Sequence, residues 1–469
     1  MKIRQIPYFL GPLFFLLSLA LPFEGFSLEE KSMIGILLWM LTWWITEIVN
    51  LAVTALLPMI LMPIMGILDI GEVTAKYGDK LIFLFFGGFV LALAIEKWNL
   101  HRRIAILIIR KVGATPKRVL LGFMLSTAFI SAWISNTATT VMMLPMALSV
   151  LQLLKKAGFE SRKLDVAVLL GVAWAANIGG MSTLIGTPPN AVFVGFYGER
   201  FGESIGFQEW MQIGLPVAAI LFTAAFLVLS LLLRKTKSDI DSIKSYFNAE
   251  YKELGPLKGA ELRVAIVFAS TALLWILRKQ IIDLTGLTGI SDTSIAIISA
   301  VSLFVIPGKN KEALLIWKDT KKLAWGILLL FGGGLALASG MIESGLLDRL
   351  ATSFQGDISF TLLGWIFIMA MLGIWATEVM SNMALVTAMM PVVAAIAAAA
   401  DQNFILFAIP LTLGSSCAFM LPMATPPNAI VFSSGKLKII DMAHRGIVMN
   451  MLATILITIL SYALGSILL

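Results

Sequence analysis

The chain has 469 residues, of which 59% are hydrophobic and only 13% are charged, with a mean hydropathy of +0.92. This composition excludes a water-soluble globule and indicates a membrane protein with several crossings. The 35 basic and 28 acidic residues give a net charge of +7, which in such a protein reports loop orientation and not nucleic-acid binding. The single cysteine, Cys417, forms no internal disulfide, and His101 and His444, both next to arginines in predicted loops, offer no zinc or iron site.

Eleven apolar windows are long enough to cross a bilayer as helices. In chain order they lie near 6–23, 33–49, 51–67, 81–96, 163–196, 210–233, 262–278, 293–307, 323–341, 403–434 and 444–469. Two further apolar stretches, 119–153 and 359–400, are interrupted by the polar runs SNTATT and TEVMSNMA, and we predict that each is a re-entrant hairpin. The first window also has the basic start of a signal peptide, but no small-x-small cleavage site follows, so we interpret it as a crossing.

Lysine and arginine are distributed unevenly between the predicted loops, which sets the orientation. With the N-terminus in the cytoplasm, HRRIAILIIRKVGATPKR, KKAGFESRK and the long loop near 234–261 fall on the cytoplasmic side with a basic excess, whereas the predicted outer segments lean acidic. Only Arg278 and Lys279 fall on the wrong side. The odd number of crossings then places the C-terminus outside, and we expect a multi-pass protein of the plasma (inner) membrane.

Four sequence motifs occur twice, in the same order. Ser135-Asn136 recurs as Ser381-Asn382 after 246 residues (381 − 135), and Pro145 recurs as Pro391 at the same interval. IGTPPN recurs as MATPPN after 238 residues (426 − 188), and the glycines of FFGG recur in LFGGG after 245 (332 − 87). This duplication gives two units of five crossings and one hairpin each. Because five is odd, the units are predicted to be inverted repeats, as in secondary transporters. The glycines favour close helix packing over a nucleotide loop, since no strand precedes them.

The polar breaks determine the predicted chemistry. Non-helical backbone survives in a bilayer only when it is buried in protein or lines a wet cavity. Serine, threonine and asparagine oxygens suit a hard cation, whereas the amides of a helix start suit an anion. Stretches 119–150, 181–197, 359–400 and 405–433 contain no lysine, arginine or histidine, and Glu378 is their one carboxylate. A dianion there needs bound cations as compensation, which predicts cation-coupled symport. Glu378 itself is interpreted as an acceptor for backbone amides that stabilises its hairpin.

SNTATTVMMLP, IGTPPNA, LFGGGLALASG, TEVMSNMA and SSCAFMLPMATPPNAIVFSSG together resemble the divalent anion/sodium symporter family, which includes the INDY-type dicarboxylate transporters. The resemblance runs over essentially the whole chain. It implies an all-α homodimer in the lipid bilayer in which a transport part moves as an elevator against a scaffold. The implied division is an N-terminal helix, 1–32; repeat 1, 33–233, with scaffold 33–118 and transport part 119–233; a cytoplasmic linker, 234–261; and repeat 2, 262–469, with scaffold 262–358 and transport part 359–469.

The resemblance also implies two or more sodium ions, no organic cofactor and a specific set of site residues. The first sodium site would involve Ser131, Ser135, Asn136 and the carbonyl region at Gly186, and the second Thr377, the carbonyl at Met380, Asn382 and the carbonyl region at Ala424. Substrate carboxylates would meet Asn136, Thr137, Thr187 and Pro188 on one side and Ser381, Asn382, Thr425 and Pro426 on the other. Met383 stands where the family has a threonine, so a hydroxyl expected to contact the substrate is missing.

The function predicted from these observations is sodium-driven uptake of a C4-dicarboxylate such as succinate, fumarate or malate. The alternatives are a sodium-independent dicarboxylate exchanger, which should carry basic residues near the site, and a symporter of another small divalent anion such as citrate or sulfate. An anion channel would need a continuous polar path. An intramembrane enzyme would need a base near the serines, and the motif stretches contain no histidine or lysine.

Overall fold

The computed structural model describes residues 6–22, 25–113, 115–156, 162–233, 240–309, 312–353 and 360–468. Within these ranges the chain is helical without a sheet, and one isolated bridge joins Pro307 and Ala313. Eight of the described helices are long and apolar enough to cross a membrane, and five shorter apolar helices accompany them. The all-helical polytopic fold is confirmed, whereas the number of eleven crossings stays a prediction.

Among the described residues, seven helices precede the first hairpin. Ser27 starts the second of them with a capping box, since its hydroxyl accepts from the Glu30 amide at 3.0 Å and the Glu30 carboxylate accepts from the Ser27 amide at 2.7 Å. The helices are α1 (Ile6–Ala20), α2 (Leu28–Thr46), α3 (Leu51–Thr54), α4 (Leu57–Ile64), α5 (Ile70–Lys76), α6 (Lys80–Lys97) and α7 (Leu100–Val112).

The basic segment after α6 is not the loop that the sequence predicted. It forms the amphipathic helix α7, in which His101 and Arg103 are buried. Apolar residues recur there at the spacing of one helix face, with basic residues on the other face. The segment therefore forms a helix but is not apolar enough to be predicted as a membrane crossing.

The first hairpin and the first broken helix follow. The predicted span 163–196 is two helices. Pro188 and Pro189 have no backbone N–H with which to continue a helix from 182–187, but both fit the first turn of a new helix. The elements are α8 (Pro116–Ser131), α9 (Asn136–Lys156), α10 (Arg162–Met181), α11 (Pro188–Phe201), α12 (Phe207–Ser230) and a 3₁₀ turn (Leu231–Leu233).

The predicted linker and the predicted scaffold part of the second repeat contain the next helices. They are α13 (Ile240–Glu253), α14 (Gly259–Ile276), α15 (Arg278–Thr285), α16 (Asp292–Val305), a 3₁₀ helix (Trp317–Lys322), α17 (Trp325–Glu343) and α18 (Leu346–Ser353). The predicted loop 234–261 is therefore largely α13, although 234–239 lie outside the described residues. Arg103 joins α7 to this segment through the Glu261 carboxylate at 2.6 and 2.8 Å and the Gly255 carbonyl at 2.9 Å.

The two basic residues on the wrong side of the predicted orientation are paired with carboxylates. Arg278 forms an ion pair with Asp292 at 2.8 Å, and Lys279 forms one with Glu209 at 2.6 Å. Each positive charge therefore has a carboxylate partner, and the predicted orientation stays a prediction.

The second hairpin and the second broken helix complete the chain. They are α19 (Leu362–Ala376), α20 (Asn382–Ala399), α21 (Phe404–Ser415), α22 (Pro426–Phe432) and α23 (Ile439–Leu468). The predicted span 403–434 is again broken before a Pro-Pro pair. His444, predicted in a loop, lies in α23, because its basic neighbourhood is the first turns of a long apolar helix.

The repeated glycines bring helices together, as predicted. A Cβ on Gly87 of α6 would lie 2.6 Å from Ala296 of α16, and a Cβ on Gly333 of α17 would overlap the backbone of Ala55. Neither glycine is near a phosphate-binding geometry, so the FGG motifs serve backbone-to-backbone contact.

The helix after the break in each repeat packs against a hairpin helix of the other repeat, which we call the exchanged packing. Within each repeat the first hairpin helix packs on the helix before the break, α8 on α10 and α19 on α21. Between repeats, α11 packs on α20 and α22 packs on α9. The two hairpins and the two broken helices are therefore packed together.

Candidate substrate and cation site

A cluster of oxygens forms where the tip of the first hairpin meets α10. The Ser131 hydroxyl oxygen lies 2.8 Å from Asn136 Oδ1 and 2.8 Å from the Ala176 carbonyl oxygen. Both neighbours are acceptors, and the hydroxyl has one hydrogen to offer them. Three oxygens therefore share a single hydrogen in a buried place. A hard cation bound there would supply the positive charge that this group of acceptors lacks.

The second repeat reproduces this cluster. The Thr377 hydroxyl donates toward Asn382 Oδ1 and lies 2.9 Å from the Ser415 carbonyl oxygen. Ser131 and Thr377 are 246 residues apart (377 − 131), and so are Asn136 and Asn382 (382 − 136). The duplication read from the sequence is therefore present in the side-chain contacts.

The asparagines of the two Thr-Pro-Pro-Asn motifs hold the broken-helix loops. Asn190 Nδ2 donates to the carbonyls of Gly180 at 3.4 Å and Thr183 at 2.8 Å. Asn428 Nδ2 donates to the carbonyls of Ala418 at 3.1 Å and Leu421 at 3.0 Å. The second asparagine and its two carbonyl partners each lie 238 residues after their counterparts in the first motif (428 − 190, 418 − 180, 421 − 183). The side-chain oxygens of both asparagines are buried without a hydrogen-bond partner in the described part of the chain, so each loop keeps an uncommitted acceptor.

Glycine is required at the first loop because the backbone approaches the hairpin tip closely. A Cβ on Gly180 would overlap Asn136 Oδ1, and a Cβ on Gly186 would overlap the Gly180 carbonyl. A larger residue at either position would displace the oxygen cluster.

Glu378 is saturated with hydrogen bonds. Its Oε1 accepts from the Phe419 amide at 2.8 Å, the Met420 amide at 2.9 Å and Asn450 Nδ2 at 2.8 Å, and its Oε2 accepts from the Leu421 amide at 3.0 Å. The side chain is only 4% exposed. Glu378 accepts from backbone amides as predicted, but these amides belong to the loop before α22 and not to its own hairpin, and its stabilising role stays a prediction.

The other predicted residues fall into three groups by exposure. Ser135 and Thr137 are exposed at the start of α9, where the Ser135 hydroxyl also accepts from the Ala138 amide at 3.3 Å. Pro426 is likewise exposed, whereas Asn136, Pro188, Met380, Ser381 and Asn382 are half-buried, and Gly186, Thr187, Met383, Ala424 and Thr425 are buried. Met383 packs into the hydrophobic core.

Several polar residues of the region were missed in the sequence. Asn190 and Asn428 belong to the quoted motifs, and their recurrence after two prolines was the available signal. Asn177 and Asn450 carry no motif and are recognised only through their contacts. No group of three histidine, cysteine, aspartate or glutamate residues that could hold a metal occurs in the described ranges. The two oxygen clusters consist of hydroxyl, amide and carbonyl oxygens, which suit an alkali cation better than a transition metal.

A helical membrane protein with two matching polar breaks, each joined to a hairpin tip, has the architecture of a secondary transporter. The model of the family described as the sodium:sulfate symporter transmembrane region matches residues 4–469, and the chain belongs to this family. The resemblance to divalent anion/sodium symporters is confirmed.

Named relatives agree with this membership. The chain is 39% identical over 468 residues to the sodium-dependent dicarboxylate transporter SdcS of Staphylococcus saprophyticus, covering 97% of this chain and 90% of that protein. It is 38% identical over 476 residues to SdcS of Staphylococcus aureus strain bovine RF122, covering 98% and 91%. These relatives are transporters, in agreement with the prediction that the chain is not an enzyme.

One solved structure supports the fold. The Alcanivorax borkumensis YdaH transporter superposes with a TM-score of 0.56 over 85% of this chain and 87% of its own, at 12% identity. At that identity the likeness concerns the fold alone.

Proposed function

We propose that the protein takes up a C4-dicarboxylate such as succinate, fumarate or malate, driven by sodium. The observation that carries this proposal is the duplicated oxygen cluster, Ser131 with Asn136 and Thr377 with Asn382, in stretches that contain no basic side chain. The relatives named sodium-dependent dicarboxylate transporters support the choice of both ion and substrate.

Charge balance makes the sodium obligatory. A buried dianion without a positive partner is prohibitively costly, and the one carboxylate of the motif stretches, Glu378, offers no positive charge and accepts four hydrogen bonds. Two bound sodium ions neutralise a dicarboxylate. An exchanger that works without sodium would have to supply that charge from lysine or arginine, and these stretches contain neither.

The proposed ligands follow the two half-sites. In the first, Ser131, Ser135, Asn136 and the carbonyl region at Gly186 hold one sodium ion, and Asn136, Thr137, Thr187 and Pro188 meet one carboxylate. In the second, Thr377, the carbonyl at Met380, Asn382 and the carbonyl region at Ala424 hold the other sodium ion, and Ser381, Asn382, Thr425 and Pro426 meet the other carboxylate. The exchanged packing of α11 on α20 and α22 on α9 supports one shared cleft.

The wider assembly belongs to the same proposal. The protein is a homodimer in the plasma membrane with its N-terminus in the cytoplasm and its C-terminus outside. The transport parts, 119–233 and 359–469, move as an elevator against the scaffold, 33–118 and 262–358.

Uptake into proteoliposomes tests the function. Purified protein should accumulate labelled succinate when an inward sodium gradient is imposed, and a potassium gradient of the same size should give none. Accumulation without sodium, driven by internal succinate, would instead identify an exchanger. Thermal stabilisation in sodium by succinate, citrate and sulfate, compared at equal concentration, identifies the preferred anion.

A further inference from the structure

Asn177 of α10 reaches across from the first repeat to the second. It is 1% exposed and lies outside every motif of the sequence. Its Nδ2 donates to the Ala418 carbonyl at 3.3 Å and to Thr425 Oγ1 at 3.2 Å. The Ala418 carbonyl can only accept a hydrogen bond, so the side-chain nitrogen of Asn177, and not its oxygen, must face Ala418 and Thr425. Both hydrogens of that nitrogen are therefore used in these two bonds.

These contacts determine the direction of the Thr425 hydroxyl. Thr425 Oγ1 accepts from Asn177 Nδ2 and, at 3.5 Å, from the Asn428 amide at the start of α22. A hydroxyl has two lone pairs and one hydrogen, so its acceptor capacity is used and its hydrogen remains to be donated. Thr187, the corresponding residue of the first repeat, makes no side-chain capping bond to α11. The two halves of the cleft are therefore not equivalent.

We propose that Asn177 is a positioning residue for substrate: it orients Thr425 as a hydrogen-bond donor to the carboxylate at the end of the cleft where Met383 provides no donor. The inference rests on the proposed function, in which Thr425 contacts the substrate. Asn177 thereby offsets the hydroxyl that is missing at Met383 and makes the second half-site selective for a group that accepts a hydrogen bond.

The contacts separate this role from general loop support. The Ala418 carbonyl also accepts from Asn428 Nδ2 at 3.1 Å, so it stays paired when Asn177 is removed. The Asn177 side-chain oxygen is buried without a hydrogen-bond partner in the described part of the chain. Truncating Asn177 therefore leaves no carbonyl without a hydrogen-bond partner. The main consequence of the truncation is that the Thr425 hydroxyl becomes free to rotate.

The test compares two changes on the same helix. Asn177→Ala should weaken succinate binding in saturating sodium by about tenfold, measured by calorimetry, while the unfolding temperature without substrate changes little. The matched control is Trp174→Phe, which removes the hydrogen bond of 3.2 Å from the buried Trp174 Nε1 to the Phe419 carbonyl of the same loop and keeps an aromatic ring. The control should bind succinate within about twofold of the unmodified protein.

A double-mutant cycle with Thr425→Ala decides the mechanism. If Asn177 acts through Thr425, adding Asn177→Ala to Thr425→Ala causes no further loss of affinity. Additive losses, an equal loss in Trp174→Phe, or unchanged binding in Asn177→Ala or Thr425→Ala would overturn the proposal. If the unmodified protein does not bind succinate in sodium, the proposed substrate is wrong, and the same cycle performed with sulfate decides the role of Asn177 separately.

Discussion

Replacing Glu378 by glutamine tests whether its carboxylate is structural. The four donors around it, three consecutive amides and Asn450, require four acceptor positions. Glutamine keeps one side-chain oxygen, whose two lone pairs are fewer than the three donors at Oε1, and it presents an amide group to the Leu421 N–H. Leaving that N–H unpaired costs about 1–3 kcal/mol, and the remaining bonds lose their charge-assisted part. We expect a total loss of about 3–5 kcal/mol from the unpaired amide and the weakened hydrogen bonds together.

That loss is a large fraction of the stability of a typical domain, so the yield of folded protein should fall several-fold. The measurements are the unfolding temperature in detergent, the yield of monodisperse protein, and the sodium concentration for half-maximal succinate uptake. Asn450→Ala is the matched control, since it removes one donor and leaves the charge, and it should destabilise less. A Glu378→Gln protein that folds normally but needs much more sodium would refute the reasoning and place the carboxylate in a cation site.

Four further outcomes follow from the same contacts. Asn136→Ala and Asn382→Ala should each abolish sodium-driven succinate uptake, because each removes an oxygen from one cluster; normal uptake by both purified variants would count against the site. Ser135→Ala should mainly raise the sodium concentration for half-maximal uptake, and an unchanged sodium dependence would exclude this serine. Gly180→Ala should weaken sodium binding by displacing the Asn136 amide, while a thermal-shift titration identical to that of the unmodified protein would contradict the close approach. Met383→Thr should tighten succinate binding by about tenfold in calorimetry; loss of succinate binding alongside tight binding of another anion to the unmodified protein would make Met383 a selectivity element for that anion.

The breaks that build the site could be predicted because their signals are local. Two prolines after a threonine end one helix and start the next, and a polar run within an apolar stretch indicates a hairpin tip. Glu378 was predicted as a backbone acceptor for a similar reason, since a lone carboxylate in such a stretch needs donors and no basic residue is nearby in the sequence.

The helices α7 and α13 were missed for a different reason. Both helices are amphipathic, with charged residues on one face. They are therefore too polar to be recognised as membrane crossings and have the composition of loops. In the structure Arg103 of α7 pairs with Glu261, and Arg102 pairs with Glu250 of α13 at 2.6 Å. Such pairs depend on tertiary proximity, which the local composition does not contain.

The link from Asn177 to Thr425 could not be predicted at all. One asparagine in an apolar helix indicates that a partner is needed but does not identify it. The motifs predicted which loops bind, whereas the orientation of a hydroxyl within the loop depends on a residue of the other repeat.

The exchanged packing of the repeats has a consequence for how the protein is made. Asn177 and Thr425 are 248 residues apart in the chain, so at about 5–20 residues per second the ribosome needs roughly 12–50 seconds to supply the partner after the asparagine has been synthesised. During that interval, for all but the last few residues of synthesis, the amide group of Asn177 has neither the Thr425 hydroxyl nor the Ala418 carbonyl to donate to. A nascent chain interrupted before α22 therefore lacks both a complete second half-site and the hydroxyl partner of Asn177.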